Sequence, residues 1–223
     1  PAMMEDLKKQ AARFGADIRW GSITDVDLSQ RPFTAKTDDG KTIMADTIII
    51  ATGASAKWLG IPSETKFGGY GVSACATCDG FFYKGKEVAV VGGGDTACEE
   101  AVYLAHLCKK VYLIHRRDEL RATKVMQDKV FRTANIEVIW NNLPTEIVGT
   151  EEGFNKAVTG VLLKNTLTGE EKKIDIDGIF IAIGHKPNSD LFKGKLELHP
   201  EGYIKTIPGS TKTSVEGVFA AGD

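Results

Sequence analysis

No stretch of the chain approaches the roughly 18 consecutive apolar residues that a bilayer span requires. The opening residues PAMMEDLKKQ also lack the cationic start and apolar segment of a secretory signal. A cytoplasmic protein with no membrane role is therefore expected. Neither sign of charge is in excess: 28 Lys and Arg stand against 30 Asp and Glu, a formal net charge of −2. With the two signs interspersed there is no broad electropositive field, which argues against nucleic acid as a partner. Cysteine is scarce, four in 223 residues, too few for a disulfide scaffold at this length. Only one C-x-x-C occurs and no second pair completes four zinc ligands, so no metal site is expected. The chain begins at Pro1 and stops at Asp223 directly after a strand-like run, which reads as a cut at both ends.

What is present suits one large domain or two small ones, since 42% of residues are hydrophobic. Residues 3–14 place Met3, Met4, Leu7, Ala11 and Phe14 on one helical face, and Gly15 stops the helix. Strands are expected at IRW (18–20), SITDVDL (22–28), FTAKT (33–37) and TIMADTIIIA (42–51), with turns at RP and DDG. The irregular stretch from Ala54 to Gly71 suits a connection between domains. Beyond it EVAVV (87–91), a helix over 95–108, KVYLIH (110–115), a helix over about 118–134 and IEVIW predict a βαβαβ unit. Hairpins at EEG (151–153) and LTG (167–169) then join TEIVG, AVTGVLLK and KKIDI, and GIFIAIG returns to the parallel sheet.

DTIIIATG (46–53) and DGIFIAIG (177–184) match at five of eight positions, and each follows a run of hairpin strands. Two similar domains are implied. The glycine turn at Gly92 precedes Gly184 by 92 residues, so the same spacing before Gly53 puts the first domain's turn upstream of residue 1.

VAVVGGGDTA (88–97) has the strand, G-x-G-x-x-A spacing and helix start of a dinucleotide-binding turn. Gly92 permits the tight turn, Gly94 lets a pyrophosphate approach the backbone, and small Ala97 lets the helix pack on the strand. Gly93, Asp95 and Thr96 complete the candidate turn, and Ile183 and Gly184 close the last strand beside it. An NAD site would present Asp or Glu at the end of the second strand. This chain instead reads LIHRRDELRA, placing His115, Arg116 and Arg117 there and Arg121 one turn on, which favours the 2′-phosphate of NADPH. The alternative is a solvated, charged helix start, with Asp118 and Glu119 partly neutralising the arginines.

SACATCDG (73–80) carries the redox candidates. Cys75 and Cys78 have the spacing to close a small disulfide that exchanges with another, and the lack of further ligands disfavours zinc. Asp79 is positioned either to move a proton or to hydrogen-bond the turn with Gly80. Cys98 and Cys108, in the helix after the glycine turn, read as small buried hydrophobes.

Taken in order and spacing, CATCDGFF, GGGDTACEEA, HRRDELRA, IAIGHKPN and GVFAAGD resemble the low-molecular-weight thioredoxin reductases along the whole chain. The resemblance implies an α/β protein of two Rossmann-like domains, each a three-layer ββα arrangement. An NADPH domain (58–184) is inserted in a partial FAD domain (1–57 and 185–223). It implies NADPH as reductant of FAD, then FAD as reductant of the Cys75–Cys78 pair, and thioredoxin as the final partner of a homodimeric enzyme. Cys78 would face the flavin, Cys75 would attack the partner disulfide, Asp79 would serve as acid and base, and Thr52, Gly53 and Asp223 would contact FAD. The family rotates its inserted domain, with hinges expected near 53–71 and 184. Without a first glycine turn, this chain is expected to bind NADPH and not to retain FAD. A related flavoprotein that feeds a peroxidase through the same C-A-T-C pattern, and a protein that only binds NADPH, are the alternatives.

Overall fold

The computed structural model describes residues 2–152 and 155–223. The first amphipathic pattern forms α1 (Ala2–Arg13), with Gly15 beyond it at φ +88°, a left-handed conformation that glycine tolerates. No residue of α1 is buried, and Met3, Met4, Leu7 and Phe14 remain exposed. The triplet IRW is not a strand: among the described residues no strand pairs with it, and Trp20 is 94% exposed. β1 (Ile23–Asp27), β2 (Phe33–Thr37) and β3 (Thr42–Ala45) form an antiparallel meander, with Val26 opposite Ala35 and Phe33 opposite Ala45. The single strand expected over 42–51 is in fact two. After β3 the chain leaves the meander at Asp46, and β4 (Ile48–Ile50) takes a parallel partner instead.

The chain divides into two compact units, one comprising the residues up to Ala54 with Pro187–Asp223, the other Ser55–Lys186. β5 (Ala54–Ala56) lies at the first crossing. In the second unit α2 (Pro62–Lys66), β6 (Val72–Ser73) and α3 (Ala76–Asp79) lead to β7 (Glu87–Val91), α4 (Asp95–Ala105), β8 (Lys110–Ile114), α5 (Lys124–Arg132) and β9 (Ile136–Ile139). An antiparallel sheet of β10 (Asn142–Glu152), β11 (Asn155–Asn165) and β12 (Glu171–Asp175) follows, and β13 (Gly178–Ile181) re-enters the parallel sheet, whose order is β6-β13-β7-β8-β9. The turn expected at 151–153 falls partly on Gly153, outside the described residues. The turn at 167–169 is present, with Gly169 at φ +75°.

Side-chain alternation explains the three layers. Val88, Val90, Val111, Leu113 and Phe180 pack with Ala97, Cys98, Ala101, Leu104 and Val130 from α4 and α5. The intervening Ala89, Val91, Ile114, Ile179 and Ile181 pack with Ile147, Val158, Val161 and Leu163 of the antiparallel sheet. Strands buried on both faces have no polar side, which is why EVAVV and GIFI read as unbroken apolar runs.

Two helix boundaries differ from the sequence reading. α4 ends at Ala105, so Cys98 lies in the helix and Cys108 just beyond it. α5 starts at Lys124 instead of 118, because the intervening backbone is drawn to the glycine turn: the Arg121 and Ala122 N–H groups both donate to the Gly93 carbonyl, at 2.7 and 3.1 Å.

β14 (His185–Pro187) pairs with β5 in a two-stranded ribbon where the chain crosses back. β15 (Val218–Ala220) then lies parallel to β4, and Val26, Leu28, Phe33, Ile50, Phe192, Leu196 and Val218 form the first unit's core. The repeated octapeptide thus has one structural meaning twice, a short parallel strand ending at a glycine with positive φ, +65° at Gly53 and +100° at Gly184. Among the described residues no helix is long and apolar enough to cross a membrane.

Phe180 is fully buried at the sheet centre, with Tyr83 edge-on at 5.4 Å. Phe180→Ala should cost about 3–5 kcal/mol through lost transfer energy and the cavity left behind. Leu7→Ala on the uncovered helix should stay within about 0.5 kcal/mol. Urea denaturation of the two variants measures the contrast.

Candidate functional site

Cys75 and Cys78 are joined as a disulfide across the start of α3. The short strand β6 delivers Ser73 immediately before them, buried, and its hydroxyl organises the loop. The Ser73 Oγ accepts the Cys75 N–H at 3.0 Å and donates to Asp79 Oδ2 at 2.6 Å. Cys75 caps the helix, its Sγ accepting the Cys78 N–H at 3.2 Å. Such a donor favours a thiolate on Cys75 once the disulfide is reduced. Cys78 is exposed and Cys75 half-buried. Behind them Glu100 of α4 points Oε1 at the Ala76 N–H, 3.5 Å away, and burial raises its pKa above the usual carboxylate value.

The glycine turn forms one wall of a cavity of about 360 Å³ within the same unit. Gly92, Gly93, Gly94, Thr96, His115, Arg116, Arg121, Ile183 and Gly184 all line it. A Cβ on Gly92 would overlap the Ala182 carbonyl and the Ala97 methyl, and one on Gly93 would overlap the His115 ring, whereas Gly94 has open space. Gly94 is also the N-cap of α4 and provides no side-chain cap, leaving the first N–H groups for a ligand. These features fit a dinucleotide pyrophosphate.

Other expected residues behave differently. Asp95 does not line the cavity; its carboxylate accepts the Thr123 N–H at 2.9 Å and hydroxyl at 2.8 Å, which keeps it ionised to lower pH. Arg117 is also absent from the wall, and its carbonyl accepts the Asn141 N–H. His115 contributes to the wall from a buried position. Its ring lies beneath Gly93 and edge-on to Trp140, its Nε2 has no hydrogen-bond partner, and burial, with Arg121 and Arg116 nearby, pushes its pKa down. Thr52, Gly53 and Asp223 line a separate cavity of about 400 Å³ in the first unit. There Thr52 and Asn188 are tied by paired hydrogen bonds between their side chains and backbone carbonyls.

The family model described as "Pyridine nucleotide-disulphide oxidoreductase" matches residues 3–223. A thioredoxin reductase of Rickettsia conorii is 52% identical over the whole chain, which spans 71% of that protein. One from Vibrio cholerae is 50% identical and is spanned over 70% of its length. The chain belongs to the thioredoxin reductases. Among solved structures, the thioredoxin reductase from Giardia duodenalis superposes with a TM-score of 0.81 at 42% identity, the chain covering 72% of it. That of Lactococcus lactis in its FR conformation gives 0.76 at 35% identity and 72% coverage. As a thioredoxin reductase chain it is an oxidoreductase, and its α/β architecture is that of the family.

Several residues of this thioredoxin reductase chain escape a sequence reading. Trp58 and Leu59 from a loop, with Asn142 and Leu143 from the start of β10, line the glycine-turn cavity, and Ser73 holds the redox turn. Ser73 had a usable signal, a hydroxyl two residues before Cys75, the spacing at which serine bonds a following N–H. The others had none.

The four thiols should separate by reactivity. Burial pushes Cys98 and Cys108 up to about 11. The shift disfavours the thiolate, so at pH 8 only about one part in a thousand is nucleophilic. After reduction, iodoacetamide under native conditions should label Cys75 and Cys78 alone, and all four cysteines in urea. Peptide mass mapping reads the result.

Proposed function

We propose that the chain carries electrons from NADPH to the disulfide of thioredoxin, using FAD and the Cys75–Cys78 pair. The observation that supports this best is a redox disulfide and a glycine-turn cavity built on one parallel sheet. The insert, 58–184 in the sequence reading, is then the NADPH domain, and the flanking segments belong to the FAD domain.

Gly92–Ala97 and the open helix N-terminus hold the NADPH pyrophosphate, and Arg116 and Arg121 at the cavity wall hold its 2′-phosphate. Thr52, Gly53 and Asp223 supply one part of the FAD site. Bound there, FAD would supply two-electron redox chemistry linking NADPH oxidation to reduction of the Cys75–Cys78 disulfide. The resulting Cys75 thiolate, favoured by the Cys78 N–H, attacks one sulfur of the thioredoxin disulfide and expels the other as a thiolate. Cys78 then attacks Cys75 in the mixed disulfide, re-forming the Cys75–Cys78 bond and releasing the second thioredoxin thiolate. Asp79, oriented by Ser73, takes the Cys78 proton and returns it to a departing thiolate.

The exchange half is testable without flavin. The chain, reduced with dithiothreitol and desalted, should convert oxidised thioredoxin to its dithiol form, and Cys75→Ser should abolish this. Cys78→Ser should accumulate a mixed disulfide visible on a non-reducing gel. Transfer by Cys75→Ser at the original rate would refute the assignment.

NADPH should bind at least about tenfold more tightly than NADH, since a bidentate Arg–phosphate contact is charge-assisted. Arg116→Ala with Arg121→Ala should remove most of that preference, and calorimetry with both nucleotides measures it.

A further inference from the structure

The Trp58–Gly60 segment belongs to the wall of the nucleotide cavity but to none of the motifs that identify it. Of the chain's three tryptophans, Trp20 has Lys8 over its ring and Trp140 packs edge-on against His115. Trp58 makes no ring contact with another side chain among the described residues. It lines the cavity with half its surface exposed, 49%. A large apolar ring held in that state carries an unfavourable exposed area that a flat ligand would cover.

The segment is held at both ends. The Lys57 N–H donates to the Gly184 carbonyl at 2.9 Å. At the other end the Glu64 carboxylate, only 5% exposed, accepts the Leu59 N–H at 2.8 Å and the Gly60 N–H at 3.0 Å. Glu64 sits on α2, which is itself fixed because the Ser63 hydroxyl accepts the Ile147 N–H of β10 at 2.8 Å. A buried carboxylate directed at two loop N–H groups is a rigid clamp, since losing it leaves both donors unsatisfied.

Strand order identifies which half of a dinucleotide Trp58 meets. The pyrophosphate seat is at the end of β7 and the arginines for the 2′-phosphate follow β8. With order β13-β7-β8, the nicotinamide half must run over the end of β13, at Ile183 and Gly184. Lys57 ties the Trp58 segment to Gly184. We infer that Trp58 packs against the nicotinamide ring and that Glu64 is a positioning residue that holds this wall in place. The inference rests on the NADPH reading of the cavity.

Calorimetry on the chain with NADPH and with 2′,5′-ADP, which carries only the adenine half, tests it. Trp58→Ala should weaken NADPH about five- to tenfold, a typical aromatic contact, and leave 2′,5′-ADP within about twofold. Glu64→Ala should show the same selectivity with a smaller loss, and Glu64→Gln, which keeps one acceptor oxygen, should recover part of it. Trp58 lies at the surface, so its variant folds even where Glu64→Ala does not. Unchanged NADPH affinity in Trp58→Ala, or equal weakening of both ligands, would overturn the inference. Failure of the unaltered chain to bind either ligand would instead overturn the NADPH reading.

Discussion

The geometry of the glycine-turn cavity depends on the absence of a side chain at Gly93. The His115 ring occupies the space a Cβ would need, and the Gly93 carbonyl accepts two consecutive N–H groups, from Arg121 and Ala122. One residue therefore fixes the end of β8, the loop after it and the glycine turn itself. Asp95 adds a second tether two residues on, through both donors of Thr123. Arg121 owes its position to this backbone and not to a helix of its own. The glycine turn and the loop that carries Arg121 to the cavity wall are consequences of one close approach.

Cysteine chemistry in this chain is likewise decided by surroundings. Cys98 and Cys108 lie in the helical layer, where desolvation keeps them protonated. Cys75 and Cys78 follow a two-residue strand that ends at a buried hydroxyl, and they receive backbone and side-chain hydrogen bonds in place of apolar contacts. Ser73 connects the two ends of the motif, since its oxygen accepts from Cys75 while its proton goes to Asp79. The Asp79 carboxylate is tied to the start of the motif by that hydrogen bond.

Legibility followed the range of the forces involved. The parallel strands and the glycine turn were readable because double-sided burial and a φ of +156° at Gly92 each leave a local mark. The start of α5 was misread because Arg121 and Ala122 bond to a residue some thirty positions earlier, which overrides the helical propensity of DELRA. IRW has strand composition, yet composition does not supply a neighbouring strand to bond. Trp58 and Glu64 were silent for a related reason. A lone aromatic and a lone acid in a loop signal nothing until Gly184 and α2 are seen to converge on them.

Sheet order also separates the two chemistries electrically. β6, which leads into the disulfide, adjoins β13, whereas the arginines follow β8, three strand positions from β6. At about 4.8 Å per strand that is roughly 14 Å, beyond the Debye length of about 8–10 Å at physiological salt for exposed charges. Arg116 and Arg121 thus exert little pull on the redox sulfurs, where the local influence is the Cys78 N–H donated to Cys75 Sγ. The arginine-lined cavity and the disulfide are set at different strand ends of one sheet.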